Sequence, residues 1–166
     1  CDKVVFTLPE GYTSSWIKND VIYCPIGLTL RDVIDFVIGI TNDASEYLFY
    51  FGDTLLSIEY SSDTFYIGNP NYSYPTWYYV NESQVFAGAF AVNRADLIKY
   101  LLAAQDTDAL LSKLSSSLSL VPAKTWLDFG NYSTYYNGKK RYLESRNFNN
   151  IRVTSDSILT KHSKDF

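Results

Sequence analysis

Two aspartates, each close to a glycine, are the residues of this sequence best suited to chemistry. Asp53 directly follows Gly52, and Asp128 precedes Gly130 by two positions. Two carboxylates that converge can hold one magnesium ion, which takes few protein oxygens and keeps coordination sites for phosphate and water. A neighbouring glycine lets the backbone come close to a bound group. Taken singly, each aspartate is more simply a turn or helix-capping residue; taken together, they predict a magnesium site.

The segments before the two aspartates predict the strands that place them. A continuous apolar and aromatic run at 46–51 is typical of a strand buried on both faces of a mostly parallel sheet. A second strand is predicted at 124–129, with Asp128 close to its end. In open α/β sheets ligands bind beyond the carboxyl ends of the strands. Asp53 and Asp128 are therefore expected where such a sheet has its binding crevice.

Helical and strand periods alternate along much of the chain. Thr29 is predicted to cap a helix, with Asp32 three residues on as an acidic substitute for the glutamate of a capping box. Strand followed by helix and strand is the order of an α/β fold. The predicted helices are 30–40, 94–104 (capped by Asn93), 106–118 and 133–146, and the further predicted strands are 3–8, 21–24, 85–92 and a hairpin over 151–160.

The segment 55–80 breaks this alternation. Short β-prone pieces at 64–67 and 76–80 are separated by turn residues, which predicts an antiparallel excursion from the parallel sheet. Gly88 then stands in the middle of a predicted strand. An isolated glycine there indicates a bulge or a close approach of ligand to backbone.

Composition excludes several functional classes. The chain has 166 residues and a net charge of −4, which argues against a nucleic-acid binder. No run reaches the roughly 18 apolar residues of a membrane span, and no signal-peptide pattern is visible, so a cytoplasmic protein is expected. The 2 cysteines make neither a disulfide framework nor a zinc set. Because the chain has no methionine, we expect a fragment of a longer protein.

Three short segments, in this order, resemble the sugar-phosphate nucleotidyltransferases, the enzymes that make NDP-sugars. The Gly-Asp pair ending in Asp53 resembles the strand end whose aspartate binds the metal. The strand around Gly88 resembles the one whose glycine borders the sugar, and the Trp-Leu-Asp-Phe-Gly segment around Asp128 resembles the source of the second metal aspartate. The likeness extends through 132–136 and 146–149, as in the capsular polysaccharide type fused to a kinase-like domain.

The resemblance implies a fold and a domain arrangement. Residues 1–142 would form a Rossmann-like GT-A core, a mixed sheet with flanking helices that lacks its N-terminal part. Residues 143–166 would begin a second domain, similar to the aminoglycoside phosphotransferases. The sequence leaves a homo-oligomer open.

The resemblance also implies an activity. A nucleotidyl group would pass from a nucleoside triphosphate to a sugar phosphate, with Mg²⁺ held by Asp53 and Asp128. The family's glycine-rich signature, with its catalytic Arg and Lys, is absent, so no catalytic residue is assigned. Asn131 stands where a histidine is expected, which leaves the sugar contacts open. The residues expected to contact substrate are Gly52, Thr54, Trp77 and Gly88.

Two alternatives remain at this point. A GT-A glycosyltransferase would carry an Asp-x-Asp pair, whereas Asp53 stands alone in its segment. A secreted carbohydrate-binding β-sandwich would suit the 15 tyrosines and the three sequons, but not the helical periods. The triplet beginning at Asp128 spells the metal-binding motif of protein kinases, but no His-Arg-Asp loop precedes it. His162, the only histidine, has no Gly-x-Ser-x-Gly partner for a hydrolase triad.

Overall fold

A computed structural model describes residues 3–15, 17, 20–68, 78–130 and 132–145. These residues form four helices and several sheets, a mixed α/β architecture that is compatible with the predicted α/β class. None of the helices in this part of the chain is long and apolar enough to cross a membrane. The elements are β1 Val5–Pro9, β2 Asp20–Cys24, α1 Leu30–Ile40, β3 Glu46–Tyr50, β4 Thr54–Ser57, β5 Thr64–Gly68, β6 Tyr79–Asn81, β7 Gln84–Asn93, α2 Arg94–Ala103, α3 Thr107–Ser117, β8 Ser119–Pro122, β9 Thr125–Asp128 and α4 Tyr132–Ser145.

The chain divides into two compact units, each built from two separate segments. One unit comprises 1–47 and 92–118, and the other comprises 48–91 and 119–166. The predicted boundary between residues 142 and 143 stays a prediction: α4 runs across that position, and 146–166 lie outside the described residues. The hairpin predicted over 151–160 also lies outside them.

Side-chain caps start the three helices of the first unit. The Thr29 hydroxyl accepts a hydrogen bond from the Asp32 amide, as predicted. The Asn93 side chain accepts from the Asp96 amide, which confirms the second predicted cap. Asp106 was expected inside α3, but its carboxylate caps the helix from the preceding position. Each cap satisfies an amide that has no acceptor within the helix, so these side chains determine where the helices begin.

Arginine side chains hold the ends of these helices together. The Arg31 guanidinium, from the first turn of α1, donates to the carbonyls of Leu101 and Ala104 at the end of α2, at 3.1 and 2.9 Å. The last carbonyls of a helix have no amide one turn further on to bond with, and the Ala104 amide donates to the Leu101 carbonyl at a long 3.3 Å. Leucines of α2 and α3 fill the space between the helices, and Leu97 and Leu110 are fully buried. The first unit is thus a small helical layer, with the parallel pair β1–β2 in the same unit.

The sheet of the second unit is mixed, with the strand order β3-β7-β5-β8 and β6 paired to β7. β5 runs antiparallel to β7 and parallel to β8. The expectation of an excursion at 64–67 was therefore wrong: β5 lies inside the sheet, and all five of its residues are buried. β3 was expected to be buried on both faces, but Leu48 and Tyr50 are exposed. They are two residues apart and so lie on one face of the strand, which is therefore not fully covered.

A separate antiparallel pair, β4–β9, carries the two aspartates of interest. β4 begins directly after Asp53, and β9 ends at Asp128. The register pairs Thr54 with Asp128 and Leu56 with Trp126. The sequence predicted β9, but it predicted neither β4 nor the pairing. This ladder sets the geometry of the candidate site.

Candidate metal and substrate site

The β4–β9 ladder brings Asp53 and Asp128 to the same end of one strand pair. Asp53 directly precedes Thr54, and Thr54 lies opposite Asp128. One further backbone bond extends the ladder, from the Phe129 amide to the Asp53 carbonyl at 2.8 Å. The two aspartates, 75 positions apart in the sequence, are therefore neighbours in the structure.

Gly130 lies between the two carboxylates. A Cβ at this position would be 2.8 Å from Asp53 Oδ2 and 3.1 Å from Asp128 Oδ1, so these oxygens are at most 5.9 Å apart. Because residue 130 has no side chain, the space that both oxygens face stays open. Asp53 is exposed and Asp128 is half-buried, so this space is accessible from solvent.

Local hydrogen bonds orient both carboxylates. The Gly130 amide donates to Asp128 Oδ1 at 2.7 Å. The Thr54 hydroxyl donates to Asp53 Oδ1 at 3.2 Å, which leaves Oδ2 turned toward Gly130. Within the described residues the ion pairs use other carboxylates, so no lysine or arginine neutralises this pair. The two carboxylates are therefore available as ligands for a cation.

The donor set suits magnesium. Magnesium is typically held by one or two carboxylates, with water and phosphate oxygens completing its octahedron. Among the described residues, no group of three or more His, Cys, Asp or Glu side chains is placed to hold a metal ion. Asp53 and Asp128 match the sparser ligand set of a magnesium–phosphate site.

Gly88, on β7, lies next to the side chain of Thr54, the residue that follows Asp53. Its φ of +91° lies in the left-handed region, which favours glycine. A Cβ at residue 88 would be 3.0 Å from Thr54 Oγ1, and the Gly88 carbonyl accepts from the Phe51 amide at 2.9 Å. The register between β5 and β7 shifts at this point: Phe65 pairs with Phe90, whereas Ile67 pairs with Phe86. The position of Gly88 indicated a bulge or a close approach of ligand, and the strand pairing is indeed irregular at this point.

Gly52 and Trp77 are the other two residues outside the β4–β7 contact that were predicted to bind substrate. Gly52 is exposed, and a Cβ there would meet nothing within 4 Å. Trp77 lies outside the described residues. Contact of Gly52, Thr54, Gly88 or Trp77 with a sugar or nucleotide stays a prediction.

Sequence reasoning missed the packing of Trp126 on Gly68. The Trp126 indole covers the α-carbon of Gly68 so closely that any side chain at residue 68 would overlap the ring. Trp126 also packs against the buried cluster of Tyr66, Ala87 and Ala89. Trp126 and Asp128 are two residues apart on β9 and so share one face of the strand. Anchoring the indole therefore also fixes the face on which the carboxylate stands.

The sequence matches no family model, and no curated protein is significantly similar to it. The fold bears on one of the sequence-based alternatives. A β-sandwich module would be built of strands, whereas the described residues include four helices of 10 to 14 residues. The mixed α/β architecture is the one expected for a GT-A-like core, without identifying it.

Proposed function

We propose that this chain is part of a sugar-phosphate nucleotidyltransferase. The observation that supports this most directly is the meeting of Asp53 and Asp128 around the open space at Gly130. These are the two aspartates that the family resemblance assigns to the metal. They are distant in sequence, so their convergence is not a consequence of local chain geometry.

The proposed reaction is the transfer of a nucleotidyl group. An oxygen of the sugar phosphate forms a bond to the α-phosphorus of a nucleoside triphosphate. The bond from that phosphorus to the oxygen bridging toward the β-phosphate breaks, and pyrophosphate leaves. Such transfers depend mainly on positioning and charge neutralisation. A bound magnesium ion supplies that neutralisation at the α-phosphate.

The residues of the chain have distinct roles in this proposal. Asp53 and Asp128 hold the ion, and Thr54 keeps one oxygen of Asp53 hydrogen-bonded while the other faces the site. The Gly130 amide orients Asp128 through a hydrogen bond to its Oδ1. Basic residues that would contact the leaving pyrophosphate are not assigned in this chain. A cytoplasmic location, where nucleoside triphosphates are abundant, belongs to the same proposal.

Metal binding is the first test of the proposal. Calorimetric titration of the chain with Mg²⁺, or with Mn²⁺ as a substitute, is expected to show one site that Asp53→Asn or Asp128→Asn removes. Asp35→Asn is the matched control, because Asp35 is an exposed helix residue that forms no hydrogen bond or ion pair within the described residues. Equal binding by wild type, Asp53→Asn and Asp128→Asn would contradict the site.

Turnover distinguishes the nucleotidyltransferase from the glycosyltransferase alternative. The proposed enzyme, of which this chain would be a part, should release pyrophosphate from a nucleoside triphosphate when a sugar phosphate is present. Loss of either aspartate should cost several kcal/mol of transition-state stabilisation, the scale of a metal's contribution. Sugar transfer from an NDP-sugar without pyrophosphate release would favour the glycosyltransferase instead.

A further inference from the structure

α4 carries a glycine in its interior, at residue 138. Glycine disfavours a helix interior relative to alanine, so its presence there calls for a packing reason. The site of Gly138 is buried. A Cβ there would be 2.8 Å from Phe129 Cε1 and 3.0 Å from the backbone oxygen of Asp128. The helix therefore touches the peptide that carries one of the two candidate metal ligands.

Other contacts on the same face of α4 hold Phe129. The Tyr135 ring meets the Phe129 ring edge to face, with centroids 5.9 Å apart. The Lys139 ammonium lies 5.7 Å from the centroid of the Tyr135 ring, which places a charge against the outer aromatic ring. Thr134, one turn before Gly138, is buried. This face of α4 thus packs against the Phe129 ring, and Gly138 is the residue at which the two come closest.

We propose that Gly138 is a positioning residue for the magnesium site. Its missing side chain lets α4 lie directly against Asp128 and Phe129, which fixes the Asp128 carboxylate opposite Asp53. Gly138 would touch neither metal nor substrate and would act through the Asp128 backbone. This inference rests on the proposed function, because it assumes that Asp53 and Asp128 bind the ion.

Asp128 is held by contacts on two sides. On one side, the β4–β9 ladder pairs Asp128 with Thr54, and the Phe129 amide is bonded to the Asp53 carbonyl. On the other side, Gly138 lies within contact distance of the Asp128 carbonyl. Added atoms at residue 138 must displace either α4 or the Asp128 peptide. Displacing the peptide changes the spacing of the two carboxylates, on which chelation depends.

The test compares two helix glycines. Gly138→Ala should weaken Mn²⁺ binding by about 10- to 100-fold, the range seen when residues that support metal ligands are altered. Gly39→Ala, in the last turn of α1, is the control, because a Cβ there meets nothing within 4 Å. Binding is measured by calorimetry at a temperature where circular dichroism shows each variant fully folded. A role confined to stability would lower the melting temperature of Gly138→Ala but leave its affinity for Mn²⁺ unchanged.

A second variant covers the case in which Gly138→Ala does not fold. Phe129→Ala adds no atoms. It removes the ring that packs against α4, so it should also weaken Mn²⁺ binding. Wild-type affinity in the folded variants, together with loss of binding in Asp128→Asn, would overturn the role of Gly138 and leave the proposed function standing. Absence of Mn²⁺ binding by the wild-type chain would instead overturn the metal site itself.

Discussion

Thr54 and Asp128 lie opposite each other in the antiparallel β4–β9 ladder. This pairing turns two distant sequence segments into one site, because Asp53 is the residue next to Thr54. It also brings Gly130 close to both carboxylates, while Gly88, on β7, contacts the Thr54 side chain. The candidate site is thus organised by one strand pair, with glycines at the positions where other parts of the chain come closest.

Gly130→Ala should block the metal site without removing a ligand. Its methyl group would stand 2.8 Å from Asp53 Oδ2 and 3.1 Å from Asp128 Oδ1, close enough to crowd both oxygens and to hinder an ion from binding the two together. Titration with Mg²⁺ should show binding that is lost or strongly weakened. Gly52→Ala is the control, since a Cβ next to Asp53 meets nothing within 4 Å. Wild-type affinity in Gly130→Ala would mean that the ion, if bound, does not lie between these oxygens.

Gly88→Ala should destabilise the fold. The backbone φ at this position is +91°, a conformation that alanine rarely adopts. The new Cβ would also lie only 3.0 Å from Thr54 Oγ1. Strained backbone of this kind costs about 1–3 kcal/mol. Urea denaturation should show this loss, whereas Gly39→Ala in α1 should be neutral or stabilising by up to about 1 kcal/mol. Equal stability of Gly88→Ala and wild type would show that the bulge relaxes without cost.

Arg94→Met should weaken the first unit. The Arg94 guanidinium donates to the carbonyls of Ile38 and Thr41, at 3.0 and 3.1 Å, and to the Tyr47 hydroxyl at 2.7 Å. Hydrogen bonds to charged groups contribute about 1.5–3 kcal/mol each, and not additively, so we expect a loss of about 2–4 kcal/mol in urea denaturation. Lys113→Met, an exposed change on α3, should stay within about 0.5 kcal/mol of wild type.

Local signals in the sequence predicted the helices well. The caps at Thr29 and Asn93 are short-range hydrogen bonds, so the residues that make them are close in sequence. Gly88 indicated its bulge in the same way, since an isolated glycine within a strand typically marks a bulge or a close backbone approach. The aspartates were found from residue type, adjacent glycines and family resemblance.

Long-range pairing was the part that the sequence did not predict. β5 and the segment before it look like an excursion because their apolar runs are short, yet β5 pairs with both β7 and β8. The β4–β9 ladder joins residues about 70 positions apart, and no local pattern specifies such a partner. The packing of Phe129 on α4 depends in the same way on which face of that helix contacts β9. These relationships are set by tertiary packing, which overrides strand propensity.

Asp96 should give α2 a stability that depends on acid pH. The Lys99 ammonium, and then the Asn93 side-chain amide, hold the pKa of the Asp96 carboxyl below its usual value of 3.8. A folded-state pKa below the unfolded one means that the ionised form stabilises the fold. That contribution is fully present above the unfolded pKa and is lost as pH falls through the lower, folded value.

The comparison of wild type with Asp96→Asn tests this sign. The urea midpoint of wild type should exceed that of Asp96→Asn at neutral pH, and the difference should shrink as the pH falls below about 3.8. Added salt should reduce the part that comes from Lys99, because that pair is exposed. Asp35→Asn, on α1, should show no such pH-dependent difference. A difference between wild type and Asp96→Asn that stayed constant from neutral to strongly acid pH would contradict the assignment, because it would not follow protonation of the carboxylate.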